Sequence, residues 1–229
     1  MRRRERVRPF RRPSRWLSTG MAGPGLFTLG WMAASLLVPG THPWRQSISF
    51  LGQGRWGWVQ NDNFVASGVL VLGFAGVLYG AGGPPALRRL ARWQALAALG
   101  MVLAGLVRQQ SLSGAALATP FGPLTAAGLG HIAGSALVYL AAVGACVGEG
   151  WPGGERRAAP PWTTPAWQWW SRAIALGLVA GLGLFLVTAA DGGLSGLWER
   201  VVALLASGWM TALVWRIQRA ADRGAVRPG

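Results

Sequence analysis

Six stretches of this sequence stay apolar for roughly 20 residues at a time, the length a helix needs to cross the ~30 Å hydrocarbon core of a bilayer at 1.5 Å per residue. They run over about Leu17–Val38, Asn63–Gly82, Leu90–Val107, Gly122–Val147, Ser171–Ala190 and Trp198–Ile217. Lipid offers no partner to a backbone amide, so each run is expected to be helical. With 52% hydrophobic and 13% charged residues in 229, a soluble globular fold is largely excluded. The expected architecture is an all-α membrane protein, a six-transmembrane-helix bundle. An Arg-rich tail would cover residues 1–16, the bundle 17–218 and a C-terminal tail 219–229.

The charge pattern sets the threading. The formal net charge is +15 and every basic residue is Arg. Eighteen of the 22 lie in the N-terminal tail, around Arg88, Arg89 and Arg92, around Arg156, Arg157 and Arg172, or at the C-terminus. The alternate loops hold only Arg45, Arg55, Arg108 and Arg200. Such asymmetry puts both termini on the cytoplasmic side, and an odd number of spans would break it. Most Trp residues, Trp162 and Trp167 among them, fall at span ends or in loops, where indoles suit the headgroup layer. An Arg-rich stretch before an apolar run also fits a signal peptide. The first run is long for one and is followed by no clear cleavage site, which favours an uncleaved span. The tail reads as a topology anchor that anionic lipid would attract.

The rare residues exclude chemistry. Without Lys there is no phosphate-loop, Schiff-base or kinase lysine. The lone Cys146 can form no internal disulfide and sits in an apolar run as a small hydrophobe. Two histidines, His42 and His131, cannot make a three-His zinc site, so no metal and no cofactor is expected. Basic residues that flank apolar spans, with no nucleic-acid-binding motif between them, argue for membrane lipid as the partner and against nucleic acid. Gly76 with Gly80, Gly130 with Gly134, and Gly177 with Gly181 recur four apart. That spacing suits close helix approach inside one bundle, or between copies of the chain or a protein partner.

Polar residues collect in the outer loops, whereas the cytoplasmic loops look generic. His131 lies inside the fourth span beside Gly128, Gly134 and Ser135. It is either a functional group by depth or packing glue bonded to a neighbouring helix. Glu199 is explained by its place near a helix N-terminus. Arg200 opposes both the topology and that helix end, so Asp62, Asp191 or a ligand anion is expected to compensate it. An outward-facing cluster follows, made of Asp62, Asn63, Arg108, Asp191, Glu199 and Arg200 with His131 beneath.

The ordered segments AGPGLFTLGW, SISFLGQG, NFVASGVLVLG, GLGHIAG and GLWERVV resemble an uncharacterised bacterial membrane family, domain of unknown function 998, over about residues 20–218. The resemblance implies six helices in the bacterial inner membrane. It also implies signature positions at Ser47, Ile48, Ser49, Leu51, Gly52, Asn63, Phe64, His131, Glu199 and Arg200. Where the family often carries a Pro/Asp-containing segment after the third span, this chain has VRQQSLSG, with no acid to partner the histidine. Three functions stay open. The first is a non-enzymatic protein that binds a lipid headgroup, small solute or partner. The second is an enzyme on a lipid or polyprenyl substrate, with His131 as base and Arg108 and Arg200 holding phosphate. The third is a small transporter or transporter subunit. The absence of a catalytic dyad and of broken-helix repeats favours the first.

Overall fold

The computed structural model describes residues 15–80, 85–107, 109, 125–151, 160–190 and 193–223. Six α-helices account for most of them: α1 Thr19–Leu37, α2 Gly57–Gly80, α3 Pro85–Leu106, α4 Ala126–Gly150, α5 Pro165–Ala190 and α6 Ser195–Asp222. Short 3-10 turns occupy Arg15–Ser18 and Ser49–Gly52, and the described residues contain no strand. Five helices are long and apolar enough to cross a membrane. The exception is α3, whose first half carries Arg88, Arg89 and Arg92. Leu36, Leu140, Leu176 and Val187 stand exposed on the outside of the bundle, a surface that water would penalise and lipid would not.

Each helix packs against its neighbours in sequence, and α6 closes onto α1, so the six form a ring. Neighbours run antiparallel. The end of α3 meets the start of α2 and of α4, where a Cβ on Gly105 would reach the Asn61 carbonyl and His131 reaches Ala104. At the other extremity the Arg89 guanidinium, at the start of α3, donates to the Gly148 carbonyl at the end of α4 over 3.2 Å. One end of the ring is covered by residues 38–56 (the capped end). The other bears Arg88, Arg89, Arg92, Arg172, Arg216 and Arg219 (the basic end).

Helix α6 begins slightly before the hydropathy pattern suggests, at Ser195, and three helices begin well before it: α2 at Gly57, α3 at Pro85 and α5 at Pro165. Their first turns carry Trp, Arg and Gln, which lower local hydropathy without breaking a helix, and Pro at the first position is suited to helix starts. Trp162 and Trp167 are accordingly not free headgroup anchors but buried side chains. The glycine pairs also divide. A Cβ on Gly134 would come within 2.8 Å of the Ala104 amide and of the Gly100 carbonyl, so α3 and α4 touch backbone to backbone. A Cβ on Gly177 would meet Leu205 at 3.2 Å, whereas a Cβ on Gly76 or Gly80 would meet nothing within 4 Å among the described residues.

The larger apolar cluster fills the basic half, around Phe74, Leu78, Leu87, Leu178, Trp209 and Leu213, with Cys146 fully buried inside it. A smaller one lies under the cap and joins Trp31, Ile48, Leu51, Phe64, Met101 and Ala203.

Candidate functional site

The first turns of α6 are laced to the cap. A helix start leaves backbone N–H groups without intrahelical partners, and here the Leu197 amide donates to the Trp44 carbonyl at 3.0 Å. The Ser195 hydroxyl donates to the Arg45 carbonyl at 2.8 Å. The Arg200 guanidinium, 5% exposed, donates through Nη1 to the carbonyls of Pro43 (2.6 Å), Gln46 (2.7 Å) and Gly196 (2.9 Å). Its Nη2 donates to the Ser35 hydroxyl at 2.9 Å, and the group lies over the Trp31 ring. Among the described residues the hydrogen bonds of this guanidinium go to three backbone carbonyls and one hydroxyl, and none goes to an acid.

Glu199 faces the other way. Its carboxylate accepts from the Ile48 amide and, at 3.5 Å, from the Ser49 hydroxyl. It does not serve as a cap of its own helix; it pins a turn about 150 residues away in the chain. Asn63 ties α2 to α1 by donating to the Phe27 carbonyl at 3.1 Å, and accepts from the Ser67 hydroxyl at 3.4 Å. Asp62 is exposed on α2, apart from this buried network. Arg108 and Asp191 lie outside the described residues, so the rim of the expected cluster is represented by Asp62 alone.

His131 is 4% exposed, and its Nδ1 sits 2.9 Å from the Ala104 carbonyl and 3.0 Å from that of Val107. Carbonyls only accept, so the ring proton lies on Nδ1 and caps the C-terminus of α3 from α4. The Phe64 ring meets the imidazole edge-on. Nε2 is buried and has no hydrogen-bond partner among the described residues. Both contacts bond the imidazole to a neighbouring helix.

Beneath the cap a cavity of about 110 Å³ lies between the helices of the ring. Five helices line it, α5 excepted, and its walls are mainly apolar: Phe27, Phe64, Val71, Met101, Val138 and Met210. Glu199 and Ser49 form its capped end, with Tyr139, Ser135, Gln94 and Ser207 as further polar points. From Glu199 to Met210 the lining follows α6 for roughly 16 Å at 1.5 Å per residue. His131 and Arg200 do not line it. Tyr139, Gln94, Ser135 and Ser207 escaped the sequence reading, because one polar residue per apolar span carries no pattern. Only their shared inward register could have marked them.

A second buried carboxylate sits at the basic end, where the loops had looked generic. Glu149, 3% exposed at the end of α4, accepts the indole N–H groups of Trp162 at 3.1 Å and Trp167 at 3.3 Å. Arg216 donates to the Trp162 carbonyl at 2.8 Å and Arg172 to the Gly150 carbonyl at 2.8 Å, which fastens the start of α5. Replacing Glu149 by Leu would orphan two buried donors, each worth about 1–3 kcal/mol. The expected result is a loss of about 2–6 kcal/mol in the unfolding of detergent-solubilised protein, and an unchanged midpoint would show the latch to be idle.

No curated protein and no solved structure matches the chain. A family model described as "Protein of unknown function (DUF998)" matches residues 21–216. That stretch holds all six helices but for the edges of α1 and α6, along with the cap, Glu199, Arg200 and His131, so the chain belongs to the DUF998 family.

Proposed function

We propose that this is a polytopic protein of the bacterial inner membrane that crosses the bilayer six times, keeps both termini in the cytoplasm, and binds a small amphipathic molecule in its central cavity. Support for counting α3 as a span is its antiparallel pairing with α2 and α4, both apolar enough to cross, over the full height of the ring. Arg88, Arg89 and Arg92 then lie at the cytoplasmic surface, where the positive-inside rule wants them.

The observation that carries the binding function is a mainly apolar cavity ending on the Glu199 carboxylate. A carboxyl flanked by hydroxyls suits a polar head that exchanges hydrogen bonds with it. A phosphate head is disfavoured, since the Arg200 fork is committed to the cap carbonyls. In this reading Glu199 contacts ligand, while Arg200, Asn63 and His131 position the helices and the cap around it. Asp62, with Arg108 and Asp191, belongs to the outer rim. His131 does not line the cavity, so it is not placed to act as base on a molecule held there.

Native mass spectrometry of protein extracted in mild detergent tests this. The wild type should retain one small molecule at near-unit stoichiometry, and Ala206→Phe, which fills the cavity, should lose it with the fold intact. Absence of any retained molecule, or equal retention by Ala206→Phe, would refute the reading.

A further inference from the structure

A groove of about 630 Å³ lies along the outer side of the α1–α6 seam, between Gly25, Thr28 and Leu29 on one helix and Leu204, Gly208 and Thr211 on the other. Pro24 and Ser207 line both this groove and the central cavity, so one residue on each helix separates the two spaces. The seam joins helices not consecutive in sequence, so no direct loop closes it, and its hydrogen-bond ties lie at the capped end, where Arg200 donates to Ser35 and to the cap. Its wall is weak in other ways too. Pro24 cannot donate the intrahelical bond that position would otherwise make. Among the described residues a Cβ on Gly25 or Gly208 would meet no atom within 4 Å, and the buried Thr28 hydroxyl has no partner. The groove gives onto the lipid-facing surface, where Leu29, Leu204 and Trp215 are exposed.

We infer that the cavity is loaded sideways from the bilayer by a single-chain lipid, whose hydrogen-bond-donating head reaches Glu199 while its hydrocarbon chain passes between Pro24 and Ser207 into the α1–α6 groove. This rests on the cavity being a binding site, as proposed above. Size favours one chain. On a scale where an apolar cavity of about 150 Å³ accepts benzene, 110 Å³ admits a narrow molecule and not a ring-sized solute. Two-chain lipids are excluded by the same measure. Approach from water is blocked at the capped end, where Ile48 (1% exposed) and Leu51 (2%) close over the cluster and Glu199 holds the Ile48 amide. The polar points inside the cavity all offer neutral hydroxyl or amide groups apart from Glu199, so an alcohol or amine head is accommodated and an anionic one is repelled.

The test uses the full chain in phosphatidylcholine vesicles with a long-chain primary alcohol that carries a diazirine in mid-chain. After photolysis, peptides are mapped by mass spectrometry. Label is expected on the cavity residues Met101, Val138 or Met210, removable by excess unlabelled alcohol. Plugging the groove with Gly25→Phe plus Gly208→Phe should cut cavity label at least tenfold at an unchanged unfolding midpoint. Thr211→Trp serves as a second plug should the double variant misfold. Undiminished cavity label in folded plugged protein, or cavity label solely from a short water-soluble diazirine alcohol, would overturn lateral loading and leave the binding site standing. Absence of cavity label from both probes in the wild type would overturn the binding site itself.

Discussion

Arg200→Ala is expected to cost about 3–5 kcal/mol and to release the cap, since one buried cation serves three carbonyls and a hydroxyl at once. The cap would lose its tie to α6 at Pro43 and Gln46, and Ile48 and Leu51 would no longer be held over the cavity. Thermal unfolding of the purified variant should begin far below that of the wild type. Limited proteolysis should cut first within residues 39–56. Arg200→Lys keeps the charge but not the planar fork, and a point charge cannot reach all four acceptors together. It should fall between the two. A midpoint for Arg200→Ala within the error of the wild type would mean that the guanidinium is not what fastens the cap.

Gly134→Leu should yield no folded protein. The added side chain would start against the Gly100 carbonyl and the Ala104 amide, which are backbone atoms that cannot rotate away. Helices α3 and α4 would have to separate, and His131, one turn before Gly134, would be drawn off the Ala104 carbonyl. Overpacking of this kind costs about 1–3 kcal/mol for small additions and more where backbone must move. Gly134→Ala should already be destabilised by that amount. Gly76→Ala is the control: its Cβ meets nothing within 4 Å among the described residues, and replacing Gly within a helix gains rather than loses stability. Fluorescence-detected size exclusion reads all three. A monodisperse Gly134→Leu peak at wild-type yield would contradict the backbone contact.

The helices were legible because length and hydropathy report directly on a bilayer. Their early starts were not, because Trp58, Arg88, Arg89 and Trp167 lower hydropathy while fitting a helix without strain. The motif residues Ser49, Asn63, Glu199 and Arg200 could be named from sequence as one group, but their partners could not. Arg200 bonds mostly to backbone carbonyls, which have no sequence signature, and Glu199 finds an amide across the ring. The Glu149 latch was hidden for a related reason. An indole reads as a membrane-surface anchor until its N–H is seen to donate inward. The cavity depends on which face of five separate helices turns inward, and no local pattern encodes that.

The number of times the chain crosses the membrane is decided by α3. Its arginines lower its hydropathy, yet it pairs along its length with two helices that can span. The most direct measurement fuses a compartment-sensitive reporter at three points: ahead of residue 15, between residues 109 and 125, and after residue 223. Cytoplasmic signal at both ends with export of the 109–125 fusion is the expected result. Opposite compartments for the two ends, or a cytoplasmic 109–125 fusion, would show that α3 does not cross, and the ring with its cavity could not then exist in a bilayer.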